Sequence, residues 1–121
     1  MRLIDVPYPP IFQSNFIRGC TSINVTWSPP AREALGGPVT GYLVQIRKAR
    51  SEEPWKNCSA FDNSLSTSCL FKHLKPNAKY DVQVMAKNKL GYGWPSEILE
   101  ASTNEAGIKQ SVDSRFNILK K

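Results

Sequence analysis

The chain has 121 residues, a formal net charge of +6 and a sequence pI of about 9.4. That length builds one domain with a sizeable core but not two, and 40% hydrophobic against 21% charged residues is ordinary globular composition. No apolar run reaches the roughly 20 residues a helix needs to cross a bilayer, so no direct membrane insertion by this segment is expected.

Residues 1–7 read as a leader or linker. Met1-Arg2-Leu3-Ile4-Asp5 lacks an apolar stretch long enough for a secretory signal, so a secreted protein containing this chain would be longer than it. Pro7, Pro9 and Pro10 keep the segment extended, without core contacts of its own. Ile11 to Ile17 predicts an edge strand. Ile23-Asn24-Val25-Thr26-Trp27 alternates strictly, with Ile23, Val25 and Trp27 on one face, and Pro29-Pro30 stops it because proline cannot donate to a ladder. Ala31 to Pro38 is a glycine-containing loop. Val39 to Arg47 predicts the next strand, with Tyr42, Val44 and Ile46 alternating against Leu43, Gln45 and Arg47.

A turn at Ser51-Glu52-Glu53-Pro54 leads to a short strand near Trp55 to Ser59, a polar loop over Phe61 to Ser68 and a strand over Cys69 to Leu74. Lys75-Pro76-Asn77 is turn chemistry, since proline pre-sets its own φ and Asn tolerates left-handed backbone. Tyr80, Val82, Val84 and Ala86 then alternate with Lys79, Asp81, Gln83 and Lys87, which gives a strand with one apolar face and one wet face. Gly91 and Gly93 supply a hairpin turn. Glu97 to Thr103 predicts the last strand, with Ile98 inward. Residues 104–121 break the pattern and read as a mobile tail, or as a short amphipathic segment using Ile108, Val112, Phe116 and Leu119. Regular strands and turns without a helical period predict an all-β sandwich.

The order Leu74-x-Pro76, Tyr80 four residues after the proline, an alternating strand, then Asn88-x-x-Gly91-x-Gly93-x-x-Ser96 resembles the hallmark of fibronectin type III domains. Trp27 followed by prolines, and Gly36-Gly37-Pro38 leading into Gly41-Tyr42, are similar to the same family, over residues 8–103. The resemblance implies a two-sheet, immunoglobulin-like sandwich of seven strands. It implies a core of Trp27, Tyr42, Leu74, Tyr80, Val82 and Val84, with Trp27 between the sheets and the Tyr80 hydroxyl pinning the connection before its strand. It also implies a non-catalytic module for protein interaction and spacing, set in the ectodomain of a cell-surface receptor or adhesion protein. Its partners would be neighbouring domains of the same chain and a cell-surface or matrix ligand. An intracellular structural array of the muscle-scaffold type and an accessory domain of a carbohydrate-active enzyme are the alternatives.

Residue chemistry adds little catalysis to this. One histidine, His73, no metal-ligand spacing and no phosphate-cradling loop leave neither enzyme nor cofactor expected. The three cysteines, Cys20, Cys58 and Cys69, leave the compartment open. Outside the cell, Cys58 with Cys69 is the pair to expect, closing a short loop; in the cytosol all three stay reduced. Asn24-Val25-Thr26 and Asn57-Cys58-Ser59 are glycosylation candidates at Asn24 and Asn57. The basic balance admits a sulfated polysaccharide, although Arg47-Lys48-x-Arg50 is followed at once by Glu52 and Glu53. Nucleic acid is not expected, because the aromatics have a better use in the core than beside the bases.

The outward face of residues 42–48 and 79–87 presents Leu43, Arg47, Met85 and Lys87 as partner-binding candidates. Tyr92 and Trp94, in and just beyond the hairpin turn, are two more, with Trp94 also able to cover the end of the core. The adhesive triplet Arg-Gly-Asp is absent from that turn, which reads Leu90-Gly91-Tyr92-Gly93, and so is a Trp-Ser-x-Trp-Ser repeat.

Overall fold

A computed structural model describes residues 5–58 and 65–105. The expected loop at 61–68 is described only from residue 65 and the expected tail only at Asn104 and Glu105; the remainder of both lies outside the described residues.

Among the described residues nine ladder segments form two antiparallel sheets. They are β1 (Ile11–Phe12), β2 (Ile17–Arg18), β3 (Ile23–Ser28), β4 (Gly41–Lys48), β5 (Lys56–Asn57), β6 (Ser68–Phe71), β7 (Lys79–Asn88), β8 (Gly91–Tyr92) and β9 (Leu99–Ser102). β3 pairs with β6 on one edge, and β1 and β2 share its other edge. In the second sheet β4 pairs with β5 and β7, and β8 and β9 share the far edge of β7. Counted by edges, the nine segments are the seven strands of the sandwich, two of them interrupted.

The first interruption differs from the single edge strand that Ile11 to Ile17 suggests. Ile11 and Phe12 pair with Ser28 and Trp27, whereas Ile17 and Arg18 pair with Asn24 and Ile23. Residues 13–16 thus face only residues 25 and 26 of β3, so the register slips by two across a bulge. The bulge keeps Phe12 and Phe16 packed against the core while leaving Ile11 and Ile17 outside.

Alternation decides which residues face the gap between the sheets. Ile23, Val25 and Trp27 of one sheet meet Tyr42, Val44, Ile46, Tyr80, Val82 and Val84 of the other, all buried, with Leu74 partly buried at the rim. Trp27 stands edge-on to Tyr42, ring centroids 5.6 Å apart, and to Phe12 at 6.4 Å. Burial pushes the Tyr42 phenol above its ordinary value. Cys58, just past β5, and Cys69 of β6 form a disulfide joining the two sheets.

Tyr80 does pin its connection: its hydroxyl oxygen accepts the Lys75 amide at 2.9 Å. Thr103 completes the corner by accepting from the Ala78 amide at 3.0 Å and donating to the Lys75 carbonyl at 2.6 Å. Asn77 occupies the left-handed region at φ 50°, as the turn requires.

Two assignments differ in the structure. Ile98 is 49% exposed, and Leu99 and Ala101 face the core instead. The pairing Tyr80↔Ala101 sets this register, and a slip of one residue exchanges faces. The leader is also more than a linker. Pro7 and Pro10 are buried, and the Asn88 side-chain amide, itself 1% exposed, donates to the Asp5 carbonyl at 3.0 Å. A β-carbon at Gly93 would collide with the Pro7 carbonyl oxygen, and one at Gly36 with that of Asp5. These two glycines let the segment lie flat against the domain.

Candidate interaction surface

The outer face of the five-stranded sheet gathers the partner-binding candidates. Leu43↔Met85, Gln45↔Gln83 and Arg47↔Asp81 are direct cross-strand pairs, and Lys87 pairs with both Gly41 and Tyr92. Gln45 accepts from Gln83 at 2.9 Å and donates to Asn57 at 3.0 Å, which ties three strands across the face. Leu43 and Met85 are half-buried rather than fully open, since each covers the other in register.

Two cations on this face, Arg47 and Lys87, rest on rings. The Arg47 guanidinium carbon lies 4.3 Å from the centroid of Trp55, and the Lys87 ammonium 5.5 Å from that of Tyr92. Arg47 Nε is buried without a hydrogen-bond partner among the described residues. Trp55 is not apparent as part of the face from sequence, because it precedes the two-residue strand β5 and reads simply as a strand residue. Tyr92 is 47% and Trp94 51% exposed, so Trp94 does not cover the end of the core. The segment after β8 stays bonded to β7, through Gly93 N to Ala86 O and Ser96 N to Val84 O. Strand alternation therefore extends the face from Tyr92 to Trp94.

The glycosylation candidates differ in setting. Asn24 lies on the outer face of the smaller sheet, in register with Ile17 and Leu70, half-buried and with its side-chain oxygen buried without a partner among the described residues. Asn57 is exposed, and its side-chain oxygen accepts from Gln45. The third cysteine, Cys20, is half-buried and donates to the Glu105 carbonyl at 3.3 Å. Among the described residues no group of three or more His, Cys, Asp or Glu is arranged to hold a metal ion.

The two-sheet all-β sandwich is of the immunoglobulin-like kind. The chain belongs to the fibronectin type III family: the model of the "Fibronectin type III domain" matches residues 13–102. It is 34% identical over 100 residues to human receptor-type tyrosine-protein phosphatase F, a match covering 83% of this chain and 5% of that protein. Against mouse cell adhesion molecule DSCAML1 it is 37% identical over 84 residues, 69% of this chain and 4% of that protein. Human slow-type myosin-binding protein C is 28% identical over 96 residues, 79% of this chain and 8% of that protein. A solved structure of domains from titin superposes with a TM-score of 0.67 at 28% identity, over 83% of this chain and 33% of that one. The chain thus spans only a small part of the length of these curated relatives.

Proposed function

We propose that this domain is a non-catalytic interaction and spacer module in the ectodomain of a cell-surface receptor or adhesion protein. The observation that carries the reading is the Cys58–Cys69 disulfide between the sheets, because such bonds persist in oxidising compartments and are rare in the cytosol. The likeness to a receptor phosphatase and to an adhesion molecule supports the same side of the membrane. The body sets a distance and displays one sheet face, Leu43, Arg47, Met85, Lys87, Tyr92 and Trp94, to a protein partner.

The second reading is a cytoplasmic structural array, favoured by the likeness to titin and to myosin-binding protein C. Mass spectrometry of the domain from secreting cells, with and without reductant, separates the two. A Cys58–Cys69 crosslink, with a glycan on Asn24 or Asn57, is the expected result. Free thiols throughout a folded, unglycosylated domain sink the ectodomain reading.

A further inference from the structure

The outer face of the smaller sheet differs in kind from that of the larger one. Its outward ladder residues are Ile11 and Ser28, Thr26 and Ser68, and the cross-strand row Ile17, Asn24 and Leu70. None of these is charged, in a chain of net charge +6, whereas the larger sheet's outer face holds Arg47, Asp81 and Lys87. Ile17 is 74% and Leu70 47% exposed, and Asn24 stands directly between them. Cross-strand neighbours of this kind have Cβ atoms about 4.5–5.5 Å apart. A group carried on Asn24 therefore has an exposed apolar side chain on either hand. The Asn24 amide is half-buried, with Oδ1 turned in and unpartnered among the described residues. That orientation turns Nδ2, the atom that accepts a sugar, outward. Thr26, which completes the acceptor Asn24-Val25-Thr26, lies on the same face two positions on. Asn57 is set differently. Its cross-strand neighbour is the polar Gln45, to which its Oδ1 is bonded, and the next residue, Cys58, is held in the disulfide.

We propose that Asn24 carries an N-linked glycan whose first N-acetylglucosamine seats on Ile17 and Leu70. The sugar then covers the smaller sheet and leaves the five-stranded sheet to protein partners. The new bond joins Asn24 Nδ2 to the anomeric carbon of the sugar. The bond from that carbon to the phosphate oxygen of a lipid diphosphate carrier breaks, the diphosphate leaves with the electron pair, and Nδ2 gives up one proton. A pyranose ring presents C–H groups on its faces, and laying one over Ile17 and Leu70 removes apolar surface from water. Its acetamido N–H brings a donor beside the buried Oδ1. A bulky, solubilising glycan also accounts for an exposed apolar row on a face without charge.

The proposal rests on the ectodomain reading, since the secretory route supplies the carrier-linked sugar, and the disulfide and the sugar are read separately. The domain, with Asn57→Gln in every sample, is made in secreting cells and trimmed by an endoglycosidase to a single N-acetylglucosamine. The same polypeptide made without glycosylation is its comparison, and mass spectrometry verifies the Cys58–Cys69 bond in both. Asn24 should carry the sugar, and the sugar-bearing domain should melt about 4–8 °C higher than the bare one. A second pair of samples carries Ile17→Ala with Leu70→Ala, at exposed positions outside the core. Circular dichroism verifies that they fold, and there the gain from the sugar should vanish. A bare Asn24 in a secreted, disulfide-bonded domain overturns the proposal and leaves the ectodomain reading standing. An occupied Asn24 with no gain in melting, or with the same gain in the doubly substituted domain, overturns the seat on Ile17 and Leu70. Free thiols together with a bare Asn24 remove both readings.

Discussion

Trp27 separates two contributions that usually travel together. Its side chain is 2% exposed, and burying about 150–250 Å² is worth roughly 4–6 kcal/mol as an upper bound. Yet its indole Nε1 is buried without a hydrogen-bond partner among the described residues, which costs about 1–3 kcal/mol. Trp27→Ala loses the buried area, opens a cavity and removes both edge-to-face ring pairs. It should destabilise by about 3–5 kcal/mol, a large share of a typical 5–15. Trp27→Phe keeps a ring against Phe12 and Tyr42 and removes the orphan donor. The smaller ring leaves a cavity of about 40 Å³ at most, worth ~1 kcal/mol at about 24 cal/mol per Å³, plus a similar loss of buried area. Relief of the orphan offsets most of this, and the net change should be about 1 kcal/mol or less. Urea unfolding followed by far-ultraviolet circular dichroism gives both values without relying on tryptophan emission. If Trp27→Phe costs as much as Trp27→Ala at unchanged m-value, the indole N–H is satisfied or the phenyl ring does not keep the two ring pairs, and the reasoning fails.

Three further outcomes can be checked. Replacing both Cys58 and Cys69 by Ala should cost about 2–3 kcal/mol, from the entropy of a loop spanning 11 positions; reductant should destabilise the wild type but not the variant. Gly93→Ala should drive residue 93 against the Pro7 carbonyl and free the segment, seen as faster amide exchange at Leu90 and in residues 5–12 with β3 and β7 still protected. Burial raises the Tyr42 phenol pKa above its ordinary 10.0, so its neutral form is favoured by folding. That contribution is complete below the unfolded value and is lost as pH climbs from about 10 through the folded value, so melting should fall there in the wild type more steeply than in Tyr42→Phe.

The strands were legible because each inner face is built from large apolar residues at every second position. The run from Tyr80 to Ala86 carries that signal without interruption, and Trp27 and Tyr80 lie where the resemblance implied. Ile98 misled because β9 buries the small Ala101, whose size carries no hydrophobic signal; cross-strand register, not local pattern, chose its face. Pro7 misled for the opposite reason, since prolines mark extended linkers and packed segments alike. Only the distant Gly93, Gly36 and Asn88 reveal which applies. The Arg47–Trp55 stack and the row Ile17, Asn24 and Leu70 depend on strand pairing, which no local window contains.

The ends of the described chain are held at opposite poles of β7. Asp5 is tied beside Asn88 at one, and Asn104 bonds Gly19 and Asn77 at the other. Pulled from its ends, the domain is therefore loaded along its strands. The entry side yields in stages, because β1 contributes only two register pairs and the bulge behind it holds four residues without register partners before β2. Peeling residues 5–16 releases about 3.3 Å per residue, while β2, β3 and the disulfide keep the core closed. The freed length is largely offset, because Arg18 and Gly19, bonded to Ser102 and Asn104, hold the new attachment point at the opposite pole, so this first stage turns the body under load more than it lengthens it.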